Sequence, residues 1–362
     1  MNKMVYLIIG IIIIGSIAYF LFKRKKDVDN DEFFISTQTE SNNRIKSLGL
    51  DKSSEDASHI LDTSQISFPD DKINFEKDEY KADPTRDWII TITSLDNIPF
   101  HTGDLMKLFD YEWRSNFRSG IYGHSIEKKK WTYALAGDSP NSFDKIQVAV
   151  NLIDTFNDED PNYNTEKLER YIIELNKRIK RYPVKLEIQK VEDISQAIEK
   201  AKKLVQLNHV FNQDVIIVLK SEKTFKGIEM WDALLSVGLK WGDGDLFHWN
   251  NHHSGYGDGQ FFTVWTTTAP GYFLPEEIKK GNMNPTDLVF GFTIPRSADP
   301  ENVFTAMVNS AKYCRTRLGG TILNQDGHPF DENKEFKELV DLISKMKENG
   351  IHPGSESALM TF

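Results

Sequence analysis

From Met4 to Phe22 the chain runs for 19 residues without a charge, through Ile11-Ile12-Ile13-Ile14. As a helix, at 1.5 Å per residue, it spans ~28 Å, about one hydrocarbon core. A secretory signal would have a shorter apolar stretch and a small-residue cleavage site. This run instead ends in Phe20-Leu21-Phe22 and then Lys23-Arg24-Lys25-Lys26. The expectation is an uncleaved transmembrane anchor within residues 1–26. Only Lys3 precedes the run, so the positive-inside bias predicts N-out topology with the bulk of the chain in the cytoplasm.

Residues 27–86 hold 15 acidic and 7 basic residues, a net of −8. Phe33, Phe34 and Ile60 are scattered without a period, and Ser, Asp, Asn and Lys dominate. Such a composition buries too little surface to offset ordering entropy, which predicts a disordered acidic tether. An acidic docking segment for a partner is the rival reading. The whole chain of 362 residues carries a net charge of −10, which argues against a nucleic-acid binder. The hydrophobic fraction of 39% is then an average over an apolar anchor, a polar spacer and globular parts.

Residues 87–362 are long enough for two α+β domains, divided at 87–213 and 214–362. In the first, Trp88–Thr93, Trp131–Leu135, Ile146–Leu152 and Val184–Ile188 read as strands. His101–Phe109, Thr165–Arg181 and Ile194–Leu207 read as helices. In the second, Val215–Lys220 is β-rich, and Gly227–Val237 places Ile228, Trp231, Leu234 and Leu235 on one helical stripe. Leu239–Trp249 and Gln260–Thr268 read as a strand pair. Leu288, Phe290, Phe292 and Ile294 alternate with Val289, Gly291 and Thr293, the period of a half-buried strand. Asp299-Pro300-Glu301 opens a helix that Gly319-Gly320 stops, and Asp331 caps the last one. Strand–helix–strand–helix closes both halves, so the first domain is expected to be a degenerate repeat of the second. Each would place helices on one face of an antiparallel sheet and leave the other face bare.

The residues then point to a family. Ala233-Leu234-Leu235-Ser236-Val237-Gly238-Leu239-Lys240-Trp241-Gly242-Asp243 leads to Leu246-Phe247-His248 and Phe261-Phe262. Ala269-Pro270-Gly271-Tyr272-Phe273, Phe292-Thr293-Ile294-Pro295-Arg296 and Leu318-Gly319-Gly320-Thr321-Ile322-Leu323 follow. With the basic-flanked anchor, this ordered set resembles ZipA-type cell-division proteins over roughly residues 215–350. The resemblance implies split β-α-β domains, an inner-membrane location and a bare sheet face that takes the C-terminal tail of the tubulin-like protein FtsZ in a shallow groove. The matching face would carry Gly244, Leu246 and His248 on one strand, Thr263, Trp265 and Thr267 on the next, and Val289, Gly291 and Thr293 on a third. Trp265 is the expected anchor, since large aromatics dominate binding hot spots. Several positions are Gly or Thr where the family face is rich in Met and Phe, so a scaffold of the same fold for a different division or envelope partner is the alternative.

Other chemistries have weaker signals. His248, His252 and His253 cluster with Asp243, Asp245 and Asp258, but their spacing matches no closed metal site. Gly242-Asp243-Gly244-Asp245 resembles part of a calcium loop, yet Ser254 stands where a bidentate Glu belongs. No phosphate-binding Gly-rich loop and no nucleophile elbow occur. The single cysteine, Cys314, excludes a disulfide framework and reads as a core residue. Lys128-Lys129-Lys130 reads as a solvated turn, and Lys177, Arg178, Lys180 and Arg181 close a helix whose C-terminal dipole suits cations; both clusters could add weak attraction to anionic lipid. The reading is an adaptor that is not an enzyme and needs no cofactor.

Overall fold

The computed structural model describes residues 30–68, 80–137, 139–157, 160–253 and 255–362. The expected membrane anchor lies outside these residues. Among the described residues no helix is long and apolar enough to cross a membrane. The described chain forms two compact units, one joining residues 30–68 to residues 211–360, the other made of residues 80–210.

Residues 30–68 depart from the expected tether. Helix α1 (Asn30–Ser47) leads to an extended stretch and two short 3-10 turns, Ser58–Leu61 and Thr63–Gln65. Ile45, Leu50, Ala57, Leu61 and Ile66 are buried. The physical reason is that these apolar groups, spaced too irregularly to form a stripe, are nevertheless buried in the compact unit that the segment forms with residues 211–360. The Ala57 amide donates to the Ser236 carbonyl at 2.9 Å, tying the segment to that unit's helical layer. An ordered strap therefore replaces the expected disordered spacer over the described part of residues 27–86. The division of the chain into consecutive domains changes with it, because the N-terminal unit is inserted between the strap and the rest of the C-terminal unit.

The N-terminal unit follows as β1 (Asp87–Ser94), β2 (Phe100–His101), α2 (Thr102–Leu108), α3 (Tyr111–Asn116), β3 (Gly120–Ser125), β4 (Trp131–Tyr133), β5 (Ser142–Asn151), α4 (Leu152–Thr155), α5 (Pro161–Ile179), β6 (Leu186–Lys190) and α6 (Ile194–Phe211). Its antiparallel sheet has the order β4-β3-β5-β1-β6, with β2 paired to β5. Trp88, Ile90 and Ile92 of β1 and Ile146, Val148 and Val150 of β5 point into one core with Leu168, Tyr171 and Leu175 of α5. The opposite sheet face is not bare. Ala82, Ile89, Tyr122 and Ala149 form a second cluster there, with Trp131 packed against it.

The C-terminal unit continues with β7 (Asp214–Lys220), α7 (Gly227–Ser236), β8 (Lys240–Trp241), β9 (Phe247–Asn250), β10 (Gln260–Trp265), α8 (Pro275–Lys280), β11 (Asp287–Thr293), α9 (Pro300–Leu318), β12 (Thr321–Asn324), α10 (Glu332–Glu348) and α11 (Glu356–Thr361). The sheet order is β12-β7-β11-β10-β9-β8. Asp299 and Asp331 cap α9 and α10, accepting from the amides of Asn302 and Lys334. Trp231 of α7 packs edge-on to Phe247 at 4.7 Å between ring centres, and Phe247 on Phe273 at 5.5 Å. The expected first strand of the Leu239–Trp249 pair is instead two short strands. A turn at Asp243–Asp245 interrupts it, with Gly244 and Asp245 at positive φ. Gly244 thus lies in a turn, not on a strand of the face.

Both units share a split β-α-β core. β1 lies between β5 and β6 and is antiparallel to both, and α5 connects them. β7 lies likewise between β11 and β12, which α9 connects. The outer strands are threaded differently. In the C-terminal unit the chain steps inward from the edge through β8, β9 and β10 to β11, whereas β3 sits beside β5 and β4 forms the edge.

Candidate partner-binding face

The period-2 geometry of strands sorts the C-terminal sheet into two faces. Leu288 and Phe290 of β11, Ile217 and Leu219 of β7, Phe262 and Val264 of β10 and Phe247 of β9 are buried in the core. Their neighbours along each strand point the other way. Val289 stands opposite Trp265 on one side and Val218 on the other. Gly291 stands between Thr263 and Ile216 in the same manner. Thr263 also pairs with His248.

Leu246, Trp265 and Val289 form one small cluster on this face, with Ile216 and Val218 against it. The first three are 3%, 5% and 3% exposed. The expected anchor, Trp265, is thus almost wholly buried in the free chain. Trp265 folds down on its own sheet. A Cβ at position 291 would come within 2.7 Å of the Trp265 ring, so Gly291 is the space in which the indole lies. Ile216 and Val218 were read only as part of a β-rich run. The run of residues 215–219 is apolar throughout and carries no period-2 contrast, so only the register with β11 assigns Ile216 and Val218 to this face.

His248 anchors one end. Its Nε2 lies 2.8 Å from the Asp243 carbonyl and its Nδ1 lies 3.0 Å from the Thr263 hydroxyl. A carbonyl only accepts, so Nε2 carries the proton; Nδ1 faces the Thr263 hydroxyl, which also lies 3.1 Å from Gln260 Oε1. Burial pushes the His248 pKa below its ordinary value, outweighing the Asp243 carbonyl, which favours the charged ring. The unfolded chain takes up this proton near pH 6.5, the fold only at lower pH. The neutral ring's contribution is thus complete above about pH 6.5 and is lost as pH falls from there toward the folded value. Thermal melts between about pH 5 and 7.5 should show the C-terminal unit weakening on the acid side, less so in His248→Gln. Equal slopes in the two proteins would contradict this.

Thr293 closes the β11 end of the face, its hydroxyl donating to Asp214 Oδ1 at 2.7 Å. Burial raises the Asp214 pKa, and this hydrogen bond partly offsets the rise. Thr267 does not belong to the face. β10 ends at Trp265, and the exposed Thr267 turns to the Asp287 carboxylate through its amide, at 2.7 Å, and through its hydroxyl. Thr266 Oγ1 donates to the same carboxylate at 2.9 Å. A buried carboxylate draws in every nearby donor, and this pulls the chain out of strand geometry.

The histidine–aspartate cluster is dispersed rather than gathered. Both His248 nitrogens are engaged. Asp258 holds Arg296 in a two-pronged pair, with Nε–Oδ2 at 2.7 Å, and Asp245 pairs with Arg44 at 3.0 Å. Among the described residues no group of His, Cys, Asp and Glu is placed to hold a metal ion. Cys314 is buried in α9 and its thiol is pushed up to about 12, which withholds the nucleophilic thiolate. Of the basic clusters, Arg178 is drawn to Glu174 at 2.7 Å and Asp110 at 2.9 Å.

Comparison with known proteins matches this same unit. The family described as ZipA, C-terminal FtsZ-binding domain, covers residues 214–339. A cell division protein ZipA of Shewanella loihica is 30% identical over 138 residues, which are 37% of this chain and 40% of that protein. Those of Shewanella frigidimarina and Shewanella halifaxensis are each 31% identical, over 117 and 116 residues. These matches cover 32% and 31% of this chain, and 32% and 37% of the two relatives. The chain thus matches about a third to two fifths of the length of these curated relatives. With the motif order, the split β-α-β sheet and the family match all falling on one segment, residues 214–339 belong to the ZipA type.

Proposed function

We propose that this chain is a non-enzymatic cell-division adaptor that binds the C-terminal tail of FtsZ on the outer sheet face of its C-terminal unit. The observation that carries the reading is the family match over residues 214–339, which contains the whole Leu246–Trp265–Val289 cluster. An apolar strip bordered by His248, Thr263 and Thr293 suits a short peptide with apolar side chains and a free backbone. The partner-binding set is Leu246, His248, Thr263, Trp265, Val289, Gly291 and Thr293, joined by Ile216 and Val218. The run Met4–Phe22 would tie this site to the inner membrane, with the folded units in the cytoplasm. Many copies on one polymer then bind with avidity, so each site can be weak.

A second reading has its own observation. Trp265 lies flat in the space left by Gly291, and the face offers little exposed apolar surface. That favours a scaffold of the same fold with a different division or envelope partner. Titrating the protein with an FtsZ C-terminal peptide, followed by tryptophan fluorescence, separates the two. Saturable binding supports the FtsZ reading. A flat titration to about 1 mM, weaker than ~4 kcal/mol of binding, favours the scaffold.

A further inference from the structure

The strap meets the C-terminal unit through directional contacts as well as buried apolar groups. Arg44 makes a two-pronged pair with Glu276 at 2.8 Å, reaches Asp245 at 3.0 Å, and lies over the Trp241 ring at 5.0 Å. Gln38 donates to the Trp241 carbonyl at 3.1 Å and sits over Gly242. Further along, the Trp231 indole donates to the Leu50 carbonyl at 2.9 Å. Asp232 accepts from the Ser54 amide and from Arg317, both at 2.7 Å, and Tyr313 donates to Glu55 at 2.8 Å.

The first group of contacts converges on one short piece of chain. Trp241 ends β8, and Gly242 and Asp245 belong to the turn between β8 and β9, closed by Gly242 N–H to the Leu246 carbonyl at 2.9 Å and Asp245 N–H to the Gly242 carbonyl at 3.0 Å. This turn contains Asp243, whose carbonyl holds His248, and it delivers Leu246 to the outer face. β8 is a two-residue edge strand, so few ladder bonds steady the turn from the sheet side. The strap steadies it from the other side.

We propose that residues 38–68 are a strap docked in cis whose Arg44 and Gln38 hold the Trp241–Leu246 turn, and with it the Leu246–His248 end of the candidate face, in position. Arg44, Gln38 and Glu276 are positioning residues: they act on the face through the turn. The proposal deepens the peptide-binding reading, but its test needs no peptide and can fail or succeed separately from that reading.

Amide hydrogen exchange on the full chain is the measurement. In the unmodified protein the Leu50 and Ala57 amides, bonded to Ile45 and Ser236 carbonyls, should exchange far more slowly than in a free coil. Arg44→Ala should speed exchange at Gly242, Asp245 and Leu246 about tenfold and leave the β7–β11 ladder unchanged. Glu276→Gln should do the same from the opposite side of the pair, and the double variant should add little to either, as expected of residues in one contact. Arg44 and Glu276 are partly exposed, so both variants should fold, and the unchanged β7–β11 ladder verifies this. Coil-like exchange at Leu50 and Ala57 in the unmodified protein would overturn the docking. Unchanged exchange at the turn in both variants would overturn the positioning role.

Discussion

Trp231→Ala is expected to destabilise the C-terminal unit by about 3–5 kcal/mol, a large part of the ~5–15 kcal/mol of a typical domain. Trp231 is 1% exposed and lies among the rings of Phe247, at 4.7 Å, and Trp241, at 5.8 Å. Truncation leaves a cavity beneath α7 and removes those ring contacts. It also leaves the Leu50 carbonyl without its indole donor. Trp231→Phe separates these effects. It keeps an aromatic ring and loses the N–H, so its cost should be nearer about 1–3 kcal/mol and should fall on the strap. Urea melts read the total, and exchange at Leu50 and Ala57 reads the strap. If Trp231→Phe leaves strap exchange untouched, the indole bond has no role in docking.

Trp265→Ala should weaken binding of an FtsZ tail peptide by more than about 30-fold, the loss of ~2 kcal/mol or more that marks a hot spot. The indole is the largest side chain of the outer cluster, and it lies in the space left by Gly291. Thr267→Ala is the control. Thr267 spends its amide and hydroxyl on Asp287 and does not join the cluster, so peptide affinity should stay within about twofold, though stability should fall by ~1 kcal/mol. Circular dichroism of both variants verifies the fold. Unchanged affinity in Trp265→Ala would remove the outer face as the site, and equal losses in both variants would point to a general structural effect.

Much of the C-terminal unit was legible in its periodicities. The alternation through residues 288–294 assigned Leu288 and Phe290 to the core and Val289, Gly291 and Thr293 to the outer face, and the strand pairing places them so. Asp299 and Asp331 were legible as caps because an N-cap is a local matter of one carboxylate and a nearby free amide. Thr267 leaves the face because the alternation of β10 continues past Trp265 in the sequence but not in the structure. The Asp287 carboxylate that ends it comes from a strand more than 20 residues later in the chain. β3 was missed because Gly120-Ile121-Tyr122-Gly123-His124-Ser125 has two glycines and little alternation. It is held by its register with β5, a long-range pairing.

Periodicity, capping and motif order act over a few residues, so most strands and helices of residues 214–339, and their resemblance to the ZipA type, are legible locally. That Trp265 lies flat over Gly291, and that an acidic, aperiodic segment docks on the C-terminal unit, depends on contacts between residues far apart in the chain. Ile45, Leu50, Ala57, Leu61 and Ile66 share no stripe in the sequence, yet all five are buried. The segment bonds to Trp231, Asp232 and Ser236 of α7, to Glu276 of α8 and to Tyr313 and Arg317 of α9, and no local pattern in the segment records these partners.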